Sequence, residues 1–296
     1  MCEIRSHSDK DQQQRIRDAV AQAIERRDRY AQQRVDELLA ALDGAADEVA
    51  RQIRRFEEKV ALKPWQEMRL AILKDLEQEV ADVASELREK WKVGIRANVE
   101  GAMKLGIEDG ITQLGALEMP DFKDLTDVKR NALVKRTFAT IDRAAVDFLA
   151  NYQLQLLGDI SAELGSAVKK CISQGLLAGK SLPEVAREIG RVVKDPDAFR
   201  RAGKTVFKTT QQRATLIART ETLRAHNEGR KVFYRQVGVT KVRWLIADDA
   251  RTCTACRALN GKVFDIDKLE GPPLHPLCRC RTQPVSSHTA ASRSSG

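Results

Sequence analysis

Aromatic residues and long apolar runs are scarce in this chain. Only 5% of its 296 residues are Phe, Trp or Tyr, whereas 31% are charged, and this composition favours a helical protein over a β-sandwich or a β-barrel. No run approaches the roughly 18 consecutive apolar residues of a membrane-spanning helix. The first residues, from Met1 to Arg5, lead into polar sequence without the apolar segment of a signal peptide. We therefore expect no membrane span and no export into an oxidising compartment.

The residue patterns of familiar enzymes are also lacking. The sequence has no recognisable Ser-His-Asp order, no glycine-rich phosphate loop and no clustered pair of carboxylates. These are the patterns of hydrolases and of nucleotide-handling enzymes. We therefore expect a protein that is not an enzyme.

Cysteine and histidine are concentrated in one stretch near the C-terminus. Four of the six cysteines and one of the four histidines lie between Cys253 and Cys280. Two closely spaced ligand pairs joined by a turn-rich loop are typical of a tetrahedral, structural Zn²⁺ site. The alternative is a pair of disulfides, which would require an oxidising compartment.

The spacing of these residues predicts a ligand set. A Cys253-x-x-Cys256 pair is followed, after a gap, by His275-x-x-Cys278 and then by Cys280. Cys278 and Cys280 are expected to point to different faces of the chain, which would leave only one of them as a ligand. We predict that Cys253, Cys256, His275 and Cys278 bind Zn²⁺, with Cys280 as the possible substitute.

The first third of the chain has helical periodicity. Apolar residues recur at spacings of three and four over 11–42, 49–60 and 65–91. Asp43-Gly44 predicts the end of the first helix, and Pro64 predicts the start of another. Together these runs predict an elongated helical hairpin or coiled-coil-like arm. Such an arm can mediate oligomer contacts or pack on itself, and the pattern leaves both open.

Glycine and proline mark the predicted boundaries that follow. Residues 94–120 contain five glycines, a density that weakens a helix and predicts a joint. Helical periodicity returns over 128–156 and 160–177, where Cys171 is expected to be a buried thiol. A capping box that begins at Ser181 predicts a short further helix.

The C-terminal third mixes helix and strand. A predicted helix over 211–237 precedes predicted strands at 242–246, 262–264 and 280–283, with a turn at Asn260-Gly261. The fold class is therefore mostly α, with an elongated helical arm, a helical middle region and a small C-terminal α+β zinc-binding module. The predicted domains are 1–120 for the arm and its glycine-rich joint, 121–204 for the helical region, 205–285 for the zinc module and 286–296 for a disordered tail.

The excess of positive over negative charge lies entirely in the last third of the chain. Residues 200–296 contain 19 Lys and Arg against 7 Asp and Glu, whereas residues 1–199 contain 32 against 35. A basic patch of this kind attracts phosphate backbones without sequence preference, although it also suits solubility or an acidic protein partner. The predicted phosphate contacts are Arg200, Arg201, Lys204, Lys208, Arg213 and Arg224.

The last eighty or so residues resemble the Mu protein F-like head-morphogenesis family of tailed phages. The resemblance rests on an ordered series of short motifs over about residues 205–285. They are Arg219-Thr220-Glu221, Asn227-x-Gly229, Gly238, Trp244, Arg251-Thr252-Cys253-x-x-Cys256, Leu259-Asn260-Gly261 and Pro273-x-His275-Pro276-x-Cys278-Arg279-Cys280.

This resemblance implies a structural minor head protein, present in few copies inside the virion and found in the bacterial host cytoplasm during assembly. Its implied partners are the portal protein, other head proteins and double-stranded DNA bound without sequence preference. Its implied role lies in head morphogenesis, DNA packaging or DNA ejection.

Two alternative functions come from other classes. A zinc-ribbon regulator would bind nucleic acid with sequence preference. A zinc-dependent nucleobase deaminase would use His226 and the first cysteine pair as ligands and Glu228 to transfer protons. Thr252 stands where the deaminase pattern has proline, and His275 and Cys278 would fill the position that water needs. We therefore expect His226 to be a polar residue on the surface of its helix.

Overall fold

The computed structural model describes residues 2–60, 67–177, 184–185, 188–189, 191, 210–247 and 252–285. The elements are helices α1 (Cys2–Val60), α2 (Glu67–Ala116), α3 (Asp127–Ala139), α4 (Arg143–Leu177), α5 (Thr210–Gln236) and α6 (Thr254–Leu259), and strands β1 (Lys241–Leu245), β2 (Val263–Asp265) and β3 (Arg281–Pro284). The protein is thus mostly helical, with its described strands in the C-terminal part, which confirms the predicted fold class. The predicted helix that begins at Ser181 and the predicted disordered tail lie largely or wholly outside the described residues.

Two long helices replace the shorter ones predicted at the start of the chain. Helix α1 continues through Asp43-Gly44, so the predicted stop there is wrong. Helix α2 continues through the glycines of the predicted joint as far as Ala116. The helix start predicted at Pro64 lies outside the described residues.

Close helix packing explains the glycines of α2. A Cβ on Gly106 would overlap the backbone carbonyl of His226 in α5, and a Cβ on Gly229 would overlap the carbonyl of Met103 in α2. Two backbones that approach this closely leave no room for a side chain at the crossing point. These glycines therefore lie at a helix–helix contact and do not interrupt the helix.

The boundary between α3 and α4 also differs from the prediction. Helix α3 begins after Thr126, whose side chain accepts a hydrogen bond from Lys129 N, and it ends at Thr140. The helical periodicity of 128–156 therefore spans two helices. Val128 and Phe148, which belong to that periodic pattern, are 79% and 69% exposed, so an apolar residue at helical spacing does not by itself show a buried face.

The described residues form two compact units, each built from separate stretches of the chain. The first unit comprises Met1–Gln33, Arg96–Leu149 and Arg219–Gly296, and the second comprises Arg34–Ile95 and Ala150–Ala218. The four-part domain division made from the sequence stays a prediction. None of the described helices is both long and apolar enough to cross a membrane.

The second unit contains the predicted apolar seam. Its buried residues follow helical spacing along α1 and α2, and Cys171 on α4 is buried as expected. The seam residues are Val35, Leu38, Leu42, Ala45 and Val49 on α1 and Val80, Val83, Leu87 and Trp91 on α2.

The first unit holds the main core and the small sheet. Its core includes Ile107, Ile111 and Leu114 of α2, Phe233 and Tyr234 of α5, and Val242 of β1. The sheet has the order β2-β1-β3, with both pairs antiparallel. Gly261 has a φ of 77° at the turn before β2, which agrees with the turn predicted at Asn260-Gly261. This sheet and helix α5 position the cysteine-rich loops.

Candidate metal centre

Helix α6 shapes the first ligand pair. Cys253 is its N-cap residue, and the Cys253 Sγ accepts a hydrogen bond from the backbone N–H of Cys256 at 3.4 Å. The Cys-x-x-Cys spacing therefore forms the first turn of a short helix and turns both sulfurs to one side. Cys256 is buried beside Trp244 of β1, whereas Cys253 is half-buried.

A tight turn shapes the second pair. The backbone N–H of Cys278 donates to the carbonyl of His275 at 3.1 Å, and Leu277 within this turn has a φ of 59°. The His275 Nδ1 lies 2.8 Å from the carbonyl of Pro276. When Nδ1 carries the proton and donates to this carbonyl, Nε2 has a free lone pair for a metal.

The two pairs converge. The His275 Nε2 lies 3.2 Å from the Cys253 Sγ and 3.3 Å from the Cys256 Sγ, and the Cys256 and Cys278 sulfurs are 3.9 Å apart. A tetrahedral Zn²⁺ with ordinary bond lengths holds two sulfurs about 3.8 Å apart and a sulfur and a nitrogen about 3.6 Å apart. These three distances therefore fit such an ion to within a few tenths of an ångström.

Five side chains compete for the four positions of a tetrahedral site. Ligand atoms within 4.8 Å of one another form two groups, Cys253–Cys256–His275 and Cys256–Cys278–Cys280, which share Cys256. Cys278 and Cys280 are both buried. The expected difference in the direction of their side chains therefore does not separate Cys280 from the cluster. The cluster can hold a metal ion, and the set of Cys253, Cys256, His275 and Cys278 stays a prediction.

The five cysteines with described side chains form no disulfide bond. The 3.9 Å between the Cys256 and Cys278 sulfurs is far longer than the roughly 2.05 Å of a disulfide bond. The disulfide alternative therefore receives no support from the geometry of the cluster.

Hydrogen bonding and burial give the thiols of the cluster different pKa values. A hydrogen bond from the Cys280 thiol, which outweighs burial, lowers the pKa of Cys278 to about 5. Burial raises the pKa of Cys256 to about 12. Without a metal, neutral pH thus leaves Cys278 as a thiolate and Cys256 as a protonated thiol. A metal cation would replace the remaining thiol protons, because only the thiolate is a strong ligand.

Two of the six predicted phosphate contacts lie in the described part of the chain, so the set stays a prediction. Arg200, Arg201, Lys204 and Lys208 lie outside the described residues. Arg213 and Arg224 are both half-buried on α5, and the Arg224 Nε donates to the Glu221 carboxylate at 3.0 Å.

The expectation that His226 lies on a helix surface is wrong. Its side chain is buried, and its Nε2 lies 2.6 Å from the Asp109 carboxylate of α2. Asp109 also accepts a hydrogen bond from Arg26 of α1 at 2.8 Å. Among the described residues, the groups that could hold a metal do not include His226, so the deaminase arrangement lacks its histidine ligand.

Sequence reasoning missed the buried polar residues of α5 as a group. Thr220, Asn227 and Arg230 are buried, and the Thr220 and Asn227 side chains hydrogen-bond the backbone of the cysteine-rich loop. Thr220 and Asn227 do occur in the motifs that carry the family resemblance. Their presence in these motifs was the only sign of a function in the sequence, and it did not indicate which structural role the two residues have.

The comparison with protein families agrees with those motifs. Residues 166–283 match the family model described as Phage Mu protein F like protein. The match begins within α4, upstream of the predicted start near residue 205. No curated protein and no solved structure matches the chain. Residues 166–283, which contain α5, β1, β2 and the whole cysteine cluster, are thus similar to the Mu protein F-like family of phage head morphogenesis proteins.

Proposed function

We propose that this protein is a structural minor head protein of a tailed phage or prophage, and that a Zn²⁺ ion holds its C-terminal fold together. The observation that carries the proposal is a pair of candidate ligand groups, Cys253–Cys256–His275 and Cys256–Cys278–Cys280, that share Cys256 within a segment matching the Mu protein F-like family model. The family supports a role in phage head morphogenesis. Its finer parts, a place inside the head near the portal and a role in packaging or ejection, are our proposal.

The number of candidate protein ligands favours a structural metal over a catalytic one. Catalytic zinc keeps one coordination position for water, whereas structural zinc has four protein ligands. Here two groups of three candidate ligands share Cys256, and Cys256, Cys278 and Cys280 are buried. An ion enclosed in this way stabilises the fold and has no position for a substrate, which supports a protein that is not an enzyme.

The basic C-terminal third supports DNA binding without sequence preference. The net charge of +12 over residues 200–296 suits contact with the phosphates of packaged DNA. A regulator of transcription would instead discriminate between sequences. Binding of the purified chain to unrelated duplexes should be equal and should weaken steeply with salt, and a clear preference for one duplex would favour the regulator.

Zinc content tests the centre of the proposal. Protein purified without added metal should contain about one zinc per chain by elemental analysis. Cys256→Ser should abolish this content, because Cys256 belongs to both groups of candidate ligands. Cys171→Ser is the matched control, since Cys171 is a buried cysteine on α4 that lies outside both groups. Zinc-free wild-type protein, or loss of zinc in both variants alike, would contradict the proposal.

The same measurement distinguishes the ligand sets. If His275 is a ligand and Cys280 is not, His275→Ala should weaken zinc binding strongly while Cys280→Ser should leave it nearly unchanged. The opposite result would identify Cys280 as the fourth ligand.

The place in the head needs a separate experiment. We expect purified virions of the parent phage to contain the protein in fewer copies than the major capsid protein, by quantitative mass spectrometry. Heads from a strain lacking the protein should be defective in assembly, DNA content or infection. Virions that never contain the protein would argue against a head component.

A further inference from the structure

Helix α5 holds the cysteine-rich loop through a stripe of polar side chains. Thr220, Asn227, Lys231 and Arg235 follow one another at spacings of seven, four and four residues, which places them on one face of the helix. The Lys231 Nζ donates to the carbonyl of Leu269 at 2.7 Å, and the Arg235 Nε donates to the Asp267 carboxylate at 2.7 Å. The stripe therefore contacts the loop along much of the path from β2 towards the second ligand pair.

Thr220 contacts the turn that joins two candidate ligands. Its Oγ1 accepts a hydrogen bond from the backbone N–H of Leu277 at 3.3 Å, and its side chain is buried. Leu277 lies between His275 and Cys278 and has a left-handed backbone, so its N–H orientation is coupled to the direction of both ligands. The hydroxyl of Thr220 thus fixes the turn from outside the metal cluster.

Asn227 fixes the same loop a few residues earlier. Its Nδ2 donates to the carbonyl of Pro272 at 2.8 Å. Its Oδ1 accepts a hydrogen bond from Arg230, whose side chain is also buried. Because the guanidinium only donates, it sets the orientation of the Asn227 amide and leaves the amide nitrogen directed at the loop. Together, Asn227 and Thr220 hold the loop on both sides of Leu274.

We propose that Thr220 and Asn227 are positioning residues of the metal site, acting through the backbone of the His275–Cys278 turn without touching the ion. This inference rests on the proposed zinc function. Outer residues that orient metal ligands typically contribute about 10-fold to 100-fold to metal affinity. Preorganised ligands explain why α5 and the cysteine cluster occur in one family segment although Thr220 lies 33 residues before Cys253.

Zinc affinity of substituted full-length chains tests this inference. Thr220→Val keeps the shape of the side chain but removes the acceptor for the Leu277 N–H. It should weaken zinc binding about 10-fold or more, as measured by competition with a chromophoric chelator. Thr220→Ser retains the hydroxyl and should restore most of the affinity, a rescue that a purely packing role of Thr220 would not give.

Thr222→Val is the matched control. Thr222 is a buried threonine on the same helix, and it makes no hydrogen bond to the described part of the loop. It should bind zinc like the wild type. Asn227→Asp is an independent variant that removes the donor to Pro272, and it should weaken zinc binding in the same direction even if Thr220→Val folds poorly.

The outcomes separate this inference from the zinc proposal itself. Wild-type protein that binds no zinc would overturn both. Wild-type protein that binds zinc, together with unchanged affinity in Thr220→Val and Asn227→Asp, would overturn only the positioning role. Equal losses in Thr220→Val and Thr222→Val would also overturn it, because general destabilisation of α5 would then explain the effect.

Discussion

At the scale of single residues, Gly106 and Gly229 allow α2 and α5 to meet backbone to backbone. A Cβ on either glycine would overlap a carbonyl group of the other helix, and a backbone cannot move aside as the end of a flexible side chain can. The contact also lies beside His226, since the carbonyl that blocks a side chain at Gly106 belongs to that residue. One methyl group at this point therefore displaces both a helix and a buried polar pair.

We predict that Gly106→Ala destabilises the protein although alanine favours helix. Overpacking of this kind typically costs about 1–3 kcal/mol, which exceeds the roughly 1 kcal/mol that alanine contributes within a helix. Urea unfolding followed by circular dichroism measures the change.

Gly94→Ala is the control for Gly106→Ala on the same helix. A Cβ at Gly94 meets nothing within 4 Å, so this variant should be as stable as the wild type or more stable by up to about 1 kcal/mol. Equal stability changes for the two variants would mean that α2 and α5 do not approach as described.

Residue-scale features differed in how well the sequence predicted them. The convergence of Cys253, Cys256 and His275 follows from short spacings and local turns, which sequence alone records. The burial of His226 depends on Asp109, which lies 117 residues away along the chain. Burying an unpaired polar group is costly. A polar residue within a helix is therefore expected to be exposed unless a distant partner for it is known. That missing partner is why the prediction for His226 was wrong.

At the scale of elements, the helix ends were harder to predict than the helices. Gly44 and the glycines of α2 resemble stop signals, yet α1 and α2 pass through them. Burial of apolar residues on both sides of Gly44, such as Leu42 and Ala45, offsets the weak helix propensity of one glycine. The stop at Gly238 was predicted correctly, since its φ of 78° is a conformation that glycine adopts without strain.

Substitution of Gly44 tests whether α1 is continuous there, because the two possibilities predict stability changes of opposite sign. Within a continuous α1, Gly44→Ala should stabilise the protein by up to about 1 kcal/mol, because a Cβ there meets nothing within 4 Å. At a left-handed helix end, the same substitution would destabilise by a comparable amount. Chemical unfolding of the two proteins under identical conditions measures the sign, and a loss of stability would favour the helix end predicted from Asp43-Gly44.

At the scale of the whole molecule, three distant stretches of sequence build the first unit. Its polar cluster combines the half-buried Arg26 of α1 with four buried residues, Arg27 of α1, Asp109 of α2, and His226 and Arg230 of α5. Hydrophobic periodicity identifies each helix separately but does not show which helices pair, so the sequence pattern kept the N-terminal helix and the zinc module in separate domains. The cluster makes stability depend on all three stretches together.

This cluster should make the protein less stable in acid. Burial, which outweighs the attraction of Asp109, lowers the pKa of His226, so the ring stays neutral in the folded state. Burial raises the pKa of Asp109, but the hydrogen bond from His226 and the hydrogen bond and charge of Arg26 lower it by more, so the carboxylate stays ionised. Arg27 and Arg230 also face the ring and further disfavour its protonation.

The sign of the pH dependence follows from these two groups. Below about pH 6.5 the unfolded chain binds a proton at His226 that the folded chain does not, so stability falls as the pH drops. One such group changes the unfolding free energy by at most about 1.4 kcal/mol per pH unit. The ionised Asp109 stabilises the folded protein fully above the pKa of this carboxyl in the unfolded chain. This stabilisation is lost as the pH falls through the lower pKa that Asp109 has in the folded state.

We therefore predict that wild-type protein loses stability between pH 7 and pH 5, and that His226→Gln loses less over the same interval. Glutamine can still donate a hydrogen bond to Asp109 but does not titrate, so only the pH-dependent part of the stability should change. Urea unfolding at several pH values, in excess chelator so that metal release does not contribute, measures both slopes. Parallel slopes for the two proteins would mean that His226 is not held neutral against Asp109, and that the three stretches of the first unit are not joined through this pair.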